Sequence, residues 1–342
     1  MAFWLNLNDI ADSIGFSSAI LINSILLLLI QNRCKNIGTY KYLMATFSIF
    51  SMIYAVTETM LRPIMHIENT TYFLISRKRF DYSTGLAKIN SAMYCGCFAA
   101  TFILTALHYI YRYFATCKPE LLNWFNGKRL FIWPILAGVP IVCWASVSYF
   151  LYPDSEFTEK AVVQVLNDHY GGIPRNEVSY IAYVYYFYDN GERSFNQINI
   201  FGCFVHYFVM STAFLILGYC GFSTYFTIRA HRGASTRTRQ LQNQLFQALV
   251  LQTVIPSIFM YIPTGIMFIF PFLDIDLKDN ANFIVVCSFL YPGIDPLITI
   301  FIIRDFRMAI INFIKGRSLG DGVSGATNGK NNQSNSGQFI RS

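Results

Sequence analysis

Long apolar blocks alternate with short polar connections along the chain, and seven of the blocks are long enough to cross a membrane. A helix that spans a hydrocarbon core of about 30 Å needs roughly 20 predominantly apolar residues. The pattern therefore predicts transmembrane helices at 10–30, 42–65, 89–111, 130–151, 198–226, 245–270 and 282–303. The predicted fold class is an all-α membrane protein, a bundle of seven transmembrane helices within 1–315.

The basic residues of the connections predict the orientation of the bundle. Cytoplasmic loops of membrane proteins carry an excess of lysine and arginine. Most of these residues lie in connections that face the cytoplasm if the N-terminus is outside. We therefore expect the N-terminus outside and the C-terminus inside. Residues 304–314 have the amphipathic pattern of a short surface helix, and 316–342, rich in Gly, Ser and Asn, are predicted to be a disordered cytoplasmic tail.

Composition supports a membrane protein and argues against other classes. Hydrophobic residues make up 54% of the chain and charged residues only 13%. The net charge of +7 is spread over the loops rather than gathered in one basic block, so no nucleic acid partner is expected. The cysteines and histidines show no metal-binding spacing along the sequence. We therefore expect no bound metal, no cofactor and no enzymatic activity.

Two outer connections carry signals of their own. The connection at 152–197 is the longest, and a structureless loop of that length is unusual in a compact domain. A strand pair or a helix that caps the bundle is therefore expected there. Asn69-Thr70-Thr71 in the first outer connection matches the N-glycosylation sequence, and the predicted orientation places Asn69 outside the cell.

Polar residues recur on one side of several predicted helices. In the third helix they follow one another at intervals of three or four from Thr101 to Arg112, which places them on one face. The seventh helix contains Asp295. Such groups are costly against lipid, so these faces must meet at a common interior, either as interhelical hydrogen bonds or as parts of a switch. On the second helix Glu58 and Arg62 lie one turn apart and are expected to form an ion pair.

The outer halves of the third, fifth, sixth and seventh helices bring aromatic rings, hydroxyls and one imidazole to this interior. A pocket of that kind suits a small, neutral, lipophilic ligand with one or two hydrogen-bond acceptors. No unpaired carboxylate is expected there to hold an amine. The candidate pocket residues are Cys97, Phe98, Thr101, Phe102, His206, Met210, Phe259, Tyr261, Ser288 and Tyr291.

Several stretches of the chain resemble one family. Tyr111-Arg112-Tyr113 closes the third predicted helix, and Pro256 and Pro263 interrupt the sixth. The seventh contains Pro-Gly-Ile-Asp-Pro-Leu at 292–297 and is followed by Arg-Asp-Phe-Arg at 304–307. In combination, these stretches are similar to the nematode seven-transmembrane chemoreceptors of the Str type, over residues 1–315.

The resemblance implies a G-protein-coupled olfactory receptor in the plasma membrane of sensory neuron cilia. Its ligand would be a small volatile odorant, with diacetyl or a related ketone as the candidate. Its partners would be a heterotrimeric G protein, the surrounding membrane lipid, and an arrestin and a receptor kinase at the tail. The candidate switch and coupling residues are His108, Tyr111, Arg112, Tyr113, Asp295, Pro296, Arg237 and Arg239.

The chain departs from the broader rhodopsin-like pattern. Tyr111 replaces the acid that usually locks the neighbouring arginine, and the second outer connection has no cysteine. A disulfide between Cys203 and either Cys95 or Cys97 is the substitute that the sequence offers. Two other classes stay open from the residues alone. A ligand-gated channel of the odorant-receptor type would have the N-terminus inside, and a secondary transporter would show internal repeats, of which we find none that is convincing.

Overall fold

The computed structural model of the chain describes residues 2–33, 38–80, 83–189, 192–230 and 236–315. Its helices are α1 (Ala2–Arg33), α2 (Tyr40–Leu61), α3 (Thr84–Cys117), α4 (Ile132–Phe150), α5 (Glu156–His169), α6 (Gln197–Ala230), α7 (Thr236–Pro256), α8 (Ile262–Ile269), α9 (Asn282–Ile302) and α10 (Arg304–Ile314). Its strands are β1 (Pro63–Glu68), β2 (Thr71–Arg77), β3 (Val178–Val184), β4 (Tyr186–Asp189) and β5 (Glu192–Phe195).

Seven helical spans are long and apolar enough to cross a membrane, which confirms the predicted bundle. They are α1, α2, α3, α4, α6, the pair α7 and α8, and α9. The second span is shorter than predicted, because α2 ends at Leu61 and does not continue to 65. Pro63 disfavours helical backbone at the residue before it and cannot donate a helical hydrogen bond. Arg62 accordingly takes left-handed backbone with φ 48°, and β1 begins at Pro63.

The extracellular end of the bundle is covered by a sheet and a helix. We call β1, β2, β3 and α5 the cap. β2 pairs antiparallel with both β1 and β3. Successive side chains of a strand point to opposite faces of a sheet. On one face Ile64 and Phe73 pack with Val162 of α5, and on the other face Tyr72 and Tyr183 join the core of the bundle.

The structure confirms the capping elements predicted for 152–197, which contain both the helix α5 and the strands β3, β4 and β5. The two strands of the first outer connection were not predicted. Both faces of these strands are buried, so the sequence lacks the alternation of apolar and polar residues that identifies a half-buried strand. The apolar start of β1 instead extends the hydrophobic block of the second span.

α1 and α9 pack closely against each other. A β-carbon at Gly15 would collide with the carbonyl oxygen of Phe289, and one at Gly293 with the hydroxyl of Ser18. Close backbone approach through small residues is a common way to pack helices in membranes. Asn23 Nδ2 donates to the carbonyl of Pro292 at 2.9 Å. That carbonyl has no helical donor, because the residue four positions later is a proline without an N–H.

The sixth span is interrupted between its two prolines. α7 ends at Pro256, one π-helical turn covers Ser257–Tyr261, and α8 follows with Pro263 as its second residue. A π-helical turn contains one residue more than an α-helical turn and often marks a functional site. The proline kinks expected for this span are therefore accompanied by a change in helical winding.

The surface helix predicted after the seventh span is confirmed as α10. Its Phe306 and Ala309 are buried, whereas Arg304, Asp305 and Arg307 are exposed, as the amphipathic pattern requires. The predicted disordered tail, 316–342, lies outside the described residues.

Candidate functional site

Aromatic rings from four spans meet inside the bundle, below the cap. Phe98 and Phe102 of α3 contact Tyr261 of the π-helical turn, with ring centroids 5.9 and 5.7 Å apart. Trp144 of α4 lies 5.6 Å from Phe102, and Phe214 of α6 lies 5.8 Å from Tyr261. We call these five residues the aromatic site. The sequence predicted Phe98, Phe102 and Tyr261 as neighbours, but neither Trp144 nor Phe214.

Buried tyrosine hydroxyls accompany the aromatic site. The hydroxyls of Tyr94, Tyr261 and Tyr291 have no hydrogen-bond partner among the described residues, although the three residues are only 2%, 1% and 5% exposed. Thr101 and Tyr291 are near enough to Tyr261 to interact with it electrostatically, without forming a hydrogen bond of normal geometry. Leaving a buried hydroxyl unpaired costs about 1–3 kcal/mol. The arrangement therefore favours a bound molecule that supplies acceptors.

Ser288 belongs to a polar group beside the aromatic site. Its hydroxyl lies 2.7 Å from that of Tyr54 and donates to the carboxylate of Glu58. The ring of Tyr54 stacks 6.0 Å from that of Tyr94, one helical turn before Phe98. Cys97 lies near Glu58 on the same side of the bundle.

Two predictions about Glu58 are wrong. It does not pair with Arg62, because Arg62 has left the helix and its Nη2 lies 2.6 Å from Asp9 Oδ1 instead. The second error concerns the pocket, where no unpaired carboxylate was expected. Glu58 reaches Ser288 there, and its Oε2 has no hydrogen-bond partner within the described ranges.

His206 of α6 lies at the boundary between the bundle and the cap. Its ring stacks on Trp144 with centroids 4.2 Å apart, and Tyr183 of β3 lies 6.3 Å away. Its Nε2 is 3.3 Å from the hydroxyl of Ser148. His206 therefore connects the aromatic site to the underside of the sheet.

Of the remaining predicted pocket residues, Met210 lies where the fifth span meets the sixth, and Phe259 faces away from the interior. Met210 lies against α8, where a β-carbon at Gly265 would come within 3.3 Å of Met210 Cε. Phe259 is 46% exposed, whereas Tyr261, two residues later, is 1% exposed. Placing Phe259 in the pocket was therefore wrong, because its ring points out of the bundle toward lipid.

The disulfide suggested from the sequence, between Cys203 and either Cys95 or Cys97, is not formed. Cys95, Cys97 and Cys203 are all free thiols. Tyr185 donates its hydroxyl hydrogen to Cys203 Sγ at 3.3 Å. The cap is therefore attached to the bundle by packing and hydrogen bonds at this point.

At the cytoplasmic end, Arg112 of α3 contacts two other spans. The residue is 2% exposed, and its guanidinium lies 3.8 Å from the ring centroid of Tyr40 on α2. Its Nη1 donates to Gln242 Oε1 of α7 at 2.8 Å. The third and sixth spans are thus linked by a hydrogen bond between a charged and a neutral side chain rather than by an ion pair.

Two further bonds connect the sixth span to its neighbours. Gln252 Nε2 donates to Asp295 Oδ2 of α9 at 2.7 Å, and Thr253 Oγ1 donates to the Tyr109 hydroxyl of α3 at 3.2 Å. We call these two bonds and the Arg112–Gln242 bond the α7 contacts. Asp295 also borders a cavity of ≈ 20 Å³, which is large enough for one water molecule.

The remaining coupling candidates surround this region. His108 Nδ1 lies 3.2 Å from the Tyr40 hydroxyl. The Tyr111 ring packs 4.9 Å from Phe125, and Tyr113 faces Tyr219 of α6 at 5.6 Å. Pro296 frees the Pro292 carbonyl that Asn23 binds. The side chains of Arg237 and Arg239 lie outside the described part of the structure.

Four residues of these sites were not predicted from the sequence: Gln242, Gln252, Trp144 and Phe214. Gln252 carried a usable signal, because an amide inside an apolar block is costly in lipid and indicates an interior partner. Gln242 precedes the predicted span and resembles any solvated loop residue. Trp144 lies in an almost wholly apolar helix, where one more aromatic ring does not stand out.

Three features together define the class of protein. They are the seven spans, the aromatic site under an extracellular cap, and the polar links to the sixth span at the cytoplasmic end. The protein is a seven-transmembrane receptor with the fold of G-protein-coupled receptors. Squid rhodopsin superposes with a TM-score of 0.62 over 92% of this chain and 86% of that one, at 12% identity, which supports the fold.

The chain belongs to the serpentine type 7TM GPCR chemoreceptor Str family, whose sequence model matches residues 8–311. It is 62% identical over 314 residues to serpentine receptor class r-10 of Caenorhabditis elegans, covering 92% of this chain and 93% of that protein. The Caenorhabditis briggsae protein of the same name is 62% identical over 311 residues, or 91% of each chain. G-protein coupled receptor str-33 of Caenorhabditis elegans is 27% identical over 330 residues, covering 92% and 94%. The family is one of receptors rather than enzymes.

Proposed function

We propose that this chemoreceptor binds a small volatile odorant at the aromatic site and activates a heterotrimeric G protein. The odorant class that fits is a ketone or diketone, and diacetyl is the candidate ligand. The receptor acts in the plasma membrane of sensory neuron cilia. Arrestin and a receptor kinase act at the tail.

The observation that carries the ligand assignment is the set of three buried hydroxyls, Tyr94, Tyr261 and Tyr291, without partners among the described residues. A ketone offers carbonyl oxygens, which accept hydrogen bonds, and short alkyl groups, which fit among aromatic rings. Pairing a buried hydroxyl recovers the free energy that an unpaired donor costs. A diketone supplies two acceptors and can therefore pair two of these hydroxyls at once.

The α7 contacts support the coupling assignment. Tyr261 of the aromatic site lies in the π-helical turn, and α7 with Gln242, Gln252 and Thr253 directly precedes that turn. A ligand that binds one conformer more tightly shifts the population toward it. Odorant binding at Tyr261 therefore favours a conformer in which α7 separates from Arg112 and Asp295.

The cytoplasmic end offers a surface for the G protein. A groove of ≈ 840 Å³ lies between α6 and α7 and is lined by Tyr225, Ile228, Arg229 and Phe246, among others. Its apolar floor and basic edge suit the end of a partner helix. On the opposite side of the membrane, Asn69 is exposed in the tight turn between β1 and β2, and we expect it to carry an N-linked glycan.

The test is a dose–response measurement with a calcium readout in cells that express the receptor and a promiscuous Gα subunit. The ligands are diacetyl, its isosteric hydrocarbon 2,3-dimethylbutadiene, and a small aliphatic amine. In the variant Tyr261→Phe the ring stays and the hydroxyl is lost. One neutral hydrogen bond contributes about 0.5–1.5 kcal/mol, so we expect the half-maximal diacetyl concentration to rise roughly 2- to 12-fold.

Tyr42→Phe is the matched control, because this tyrosine is 52% exposed at the other end of the bundle. The wild type should prefer diacetyl to the hydrocarbon, and Tyr261→Phe should lose part of that preference. If the amine activates the receptor and the ketone does not, Glu58 rather than the hydroxyls selects the ligand, and the assignment is wrong.

A further inference from the structure

Two histidines and a glutamate meet in the cap. His66 and Glu68 are two residues apart on β1, so their side chains leave the same face of the sheet. His169 is the last residue of α5, which packs on that face. Glu68 Oε2 lies 3.4 Å from His66 Nε2, and Glu68 Oε1 lies 3.8 Å from His169 Nε2. The rings of the two histidines are 4.8 Å apart between centroids.

We propose that His66, Glu68 and His169 form an extracellular site for a divalent transition-metal cation, Zn²⁺ or Cu²⁺. Imidazole nitrogen and carboxylate oxygen are ligands that these ions bind well. One ligand atom of each residue lies within 4.8 Å of the other two. Bonds of about 2.0–2.2 Å in a tetrahedral zinc site place the ligand atoms roughly 3.3–3.5 Å apart. Glu68 and His66 already have this spacing, and His169 reaches it by a small side-chain rotation.

The surroundings of His66 supply a partner for the nitrogen that does not face Glu68. The Tyr170 hydroxyl lies 3.2 Å from His66 Nδ1 and can accept an N–H from it. Metal-bound histidines commonly donate their second N–H to such a partner.

His66 Nε2 and Glu68 Oε2 lie 3.4 Å apart, so the two atoms face each other across the position that an ion would occupy. Binding requires the neutral imidazole with its proton on Nδ1, and the cation replaces any proton shared between Nε2 and the carboxylate.

The site is open to solvent on one side. The side chains of Glu68 and His169 are 22% and 21% exposed, which gives an ion a path to the buried nitrogen of His66. Charges of both signs lie nearby, with Asp276 and Asp279 in the connection before α9 and Lys278 between them.

A metal here has a structural consequence that does not depend on the proposed odorant. It joins the end of α5 to β1 and thereby fastens the two layers of the cap above the aromatic site. The sequence predicts no metal site, because no two of these ligands form a known short spacing pattern. Only the packing of α5 on the sheet brings His169 to the other two.

The test uses the purified full-length receptor in detergent, carrying an affinity tag without histidines. Calorimetric titration with Zn²⁺ should show saturable binding of one ion per chain. Glu68→Gln and His169→Gln should each weaken it by at least about 10- to 100-fold, the usual loss even for a residue that only supports a ligand. Asp168→Asn is the control, an exposed acid beside His169 that is not in the ligand set.

A second readout identifies the ligands directly. Electron paramagnetic resonance of bound Cu²⁺ should show two imidazole nitrogens in the wild type and one in His169→Gln. Zn²⁺ should raise the unfolding temperature of the wild type and of Asp168→Asn, but not that of a Glu68→Gln/His169→Gln double variant. Equal zinc affinity in the double variant and the wild type, or a copper spectrum unchanged by His169→Gln, would overturn the proposal.

Discussion

The hydrogen bond between Arg112 and Gln242 offers a direct test of the coupling mechanism. In Gln242→Ala the acceptor for Arg112 Nη1, 2.8 Å away, is removed. A hydrogen bond to a charged group contributes about 1.5–3 kcal/mol, which corresponds to a 10- to 150-fold change in a two-state equilibrium. In the proposed mechanism, the bond holds α7 against α3 in the resting conformer, so its loss favours the conformer that binds the G protein.

The expected result is a receptor with raised activity in the absence of odorant. If the active conformer is populated to about 0.1% in the wild type, the variant raises it to roughly 1–15%, and the half-maximal odorant concentration falls in the same direction. The measurement is GTPγS binding by membranes with matched receptor levels. Gln31→Ala makes the same chemical change at an exposed position at the cytoplasmic end of α1 and should leave the basal rate unchanged.

Unchanged basal exchange in Gln242→Ala, together with unchanged odorant sensitivity, would refute the reasoning. It would mean that the Arg112–Gln242 bond is equally strong in both conformers, since an interaction that does not differ between two states shifts neither. Arg112→Lys provides a second check. It keeps the charge but loses the planar group that stacks on Tyr40.

Two further predictions concern folding. Gly15→Val should abolish surface expression, because its side chain would collide with the Phe289 carbonyl between α1 and α9, whereas Gly138→Val, with open space around it, should reach the surface normally. In the cap, Arg175 hydrogen-bonds to Glu159 and holds the pKa of that carboxyl below its usual 4.5. Because the folded pKa is the lower one, this stabilisation is complete above pH 4.5 and is lost as the pH falls through the folded value. The protection of the α5 amides against hydrogen exchange, relative to the intrinsic rate at each pH, should therefore fall in acid, and Glu159→Gln should remove that pH dependence.

The bundle was predictable from the sequence because the bilayer imposes one strong constraint. Every span must be a long apolar helix, and that length and composition can be read directly. The cap was not predictable to the same degree. β1 and β2 are buried between the bundle and α5, so their sequence resembles a continuation of an apolar span.

For the candidate site, the sequence could predict only which helix faces point toward the interior, not which side chains meet there. Helical spacing correctly placed Phe98 and Phe102 toward one interior, since α3 is regular there, and Tyr261 faces the same interior from the π-helical turn. Phe259 precedes Tyr261 by two residues, and a helix that turns about 100° per residue directs their side chains to nearly opposite sides. Helical spacing failed for Glu58, whose expected partner Arg62 lies beyond the end of the helix.

In the proposed mechanism, the π-helical turn is the element through which a small ligand moves the distant end of the sixth span. Conversion of this turn to α-helix, with all residues kept, rotates α7 relative to α8 by about 100°, the angle per residue of an α-helix. Such a rotation would carry Gln242 and Gln252 away from Arg112 and Asp295. Deletion of Phe259, whose ring lies outside the aromatic site, removes the extra residue and leaves α7 and α8 in their present relative orientation. We expect this variant to reach the surface, to keep a low basal activity and to lose its odorant response. A normal dose–response curve would show that the turn has no part in switching.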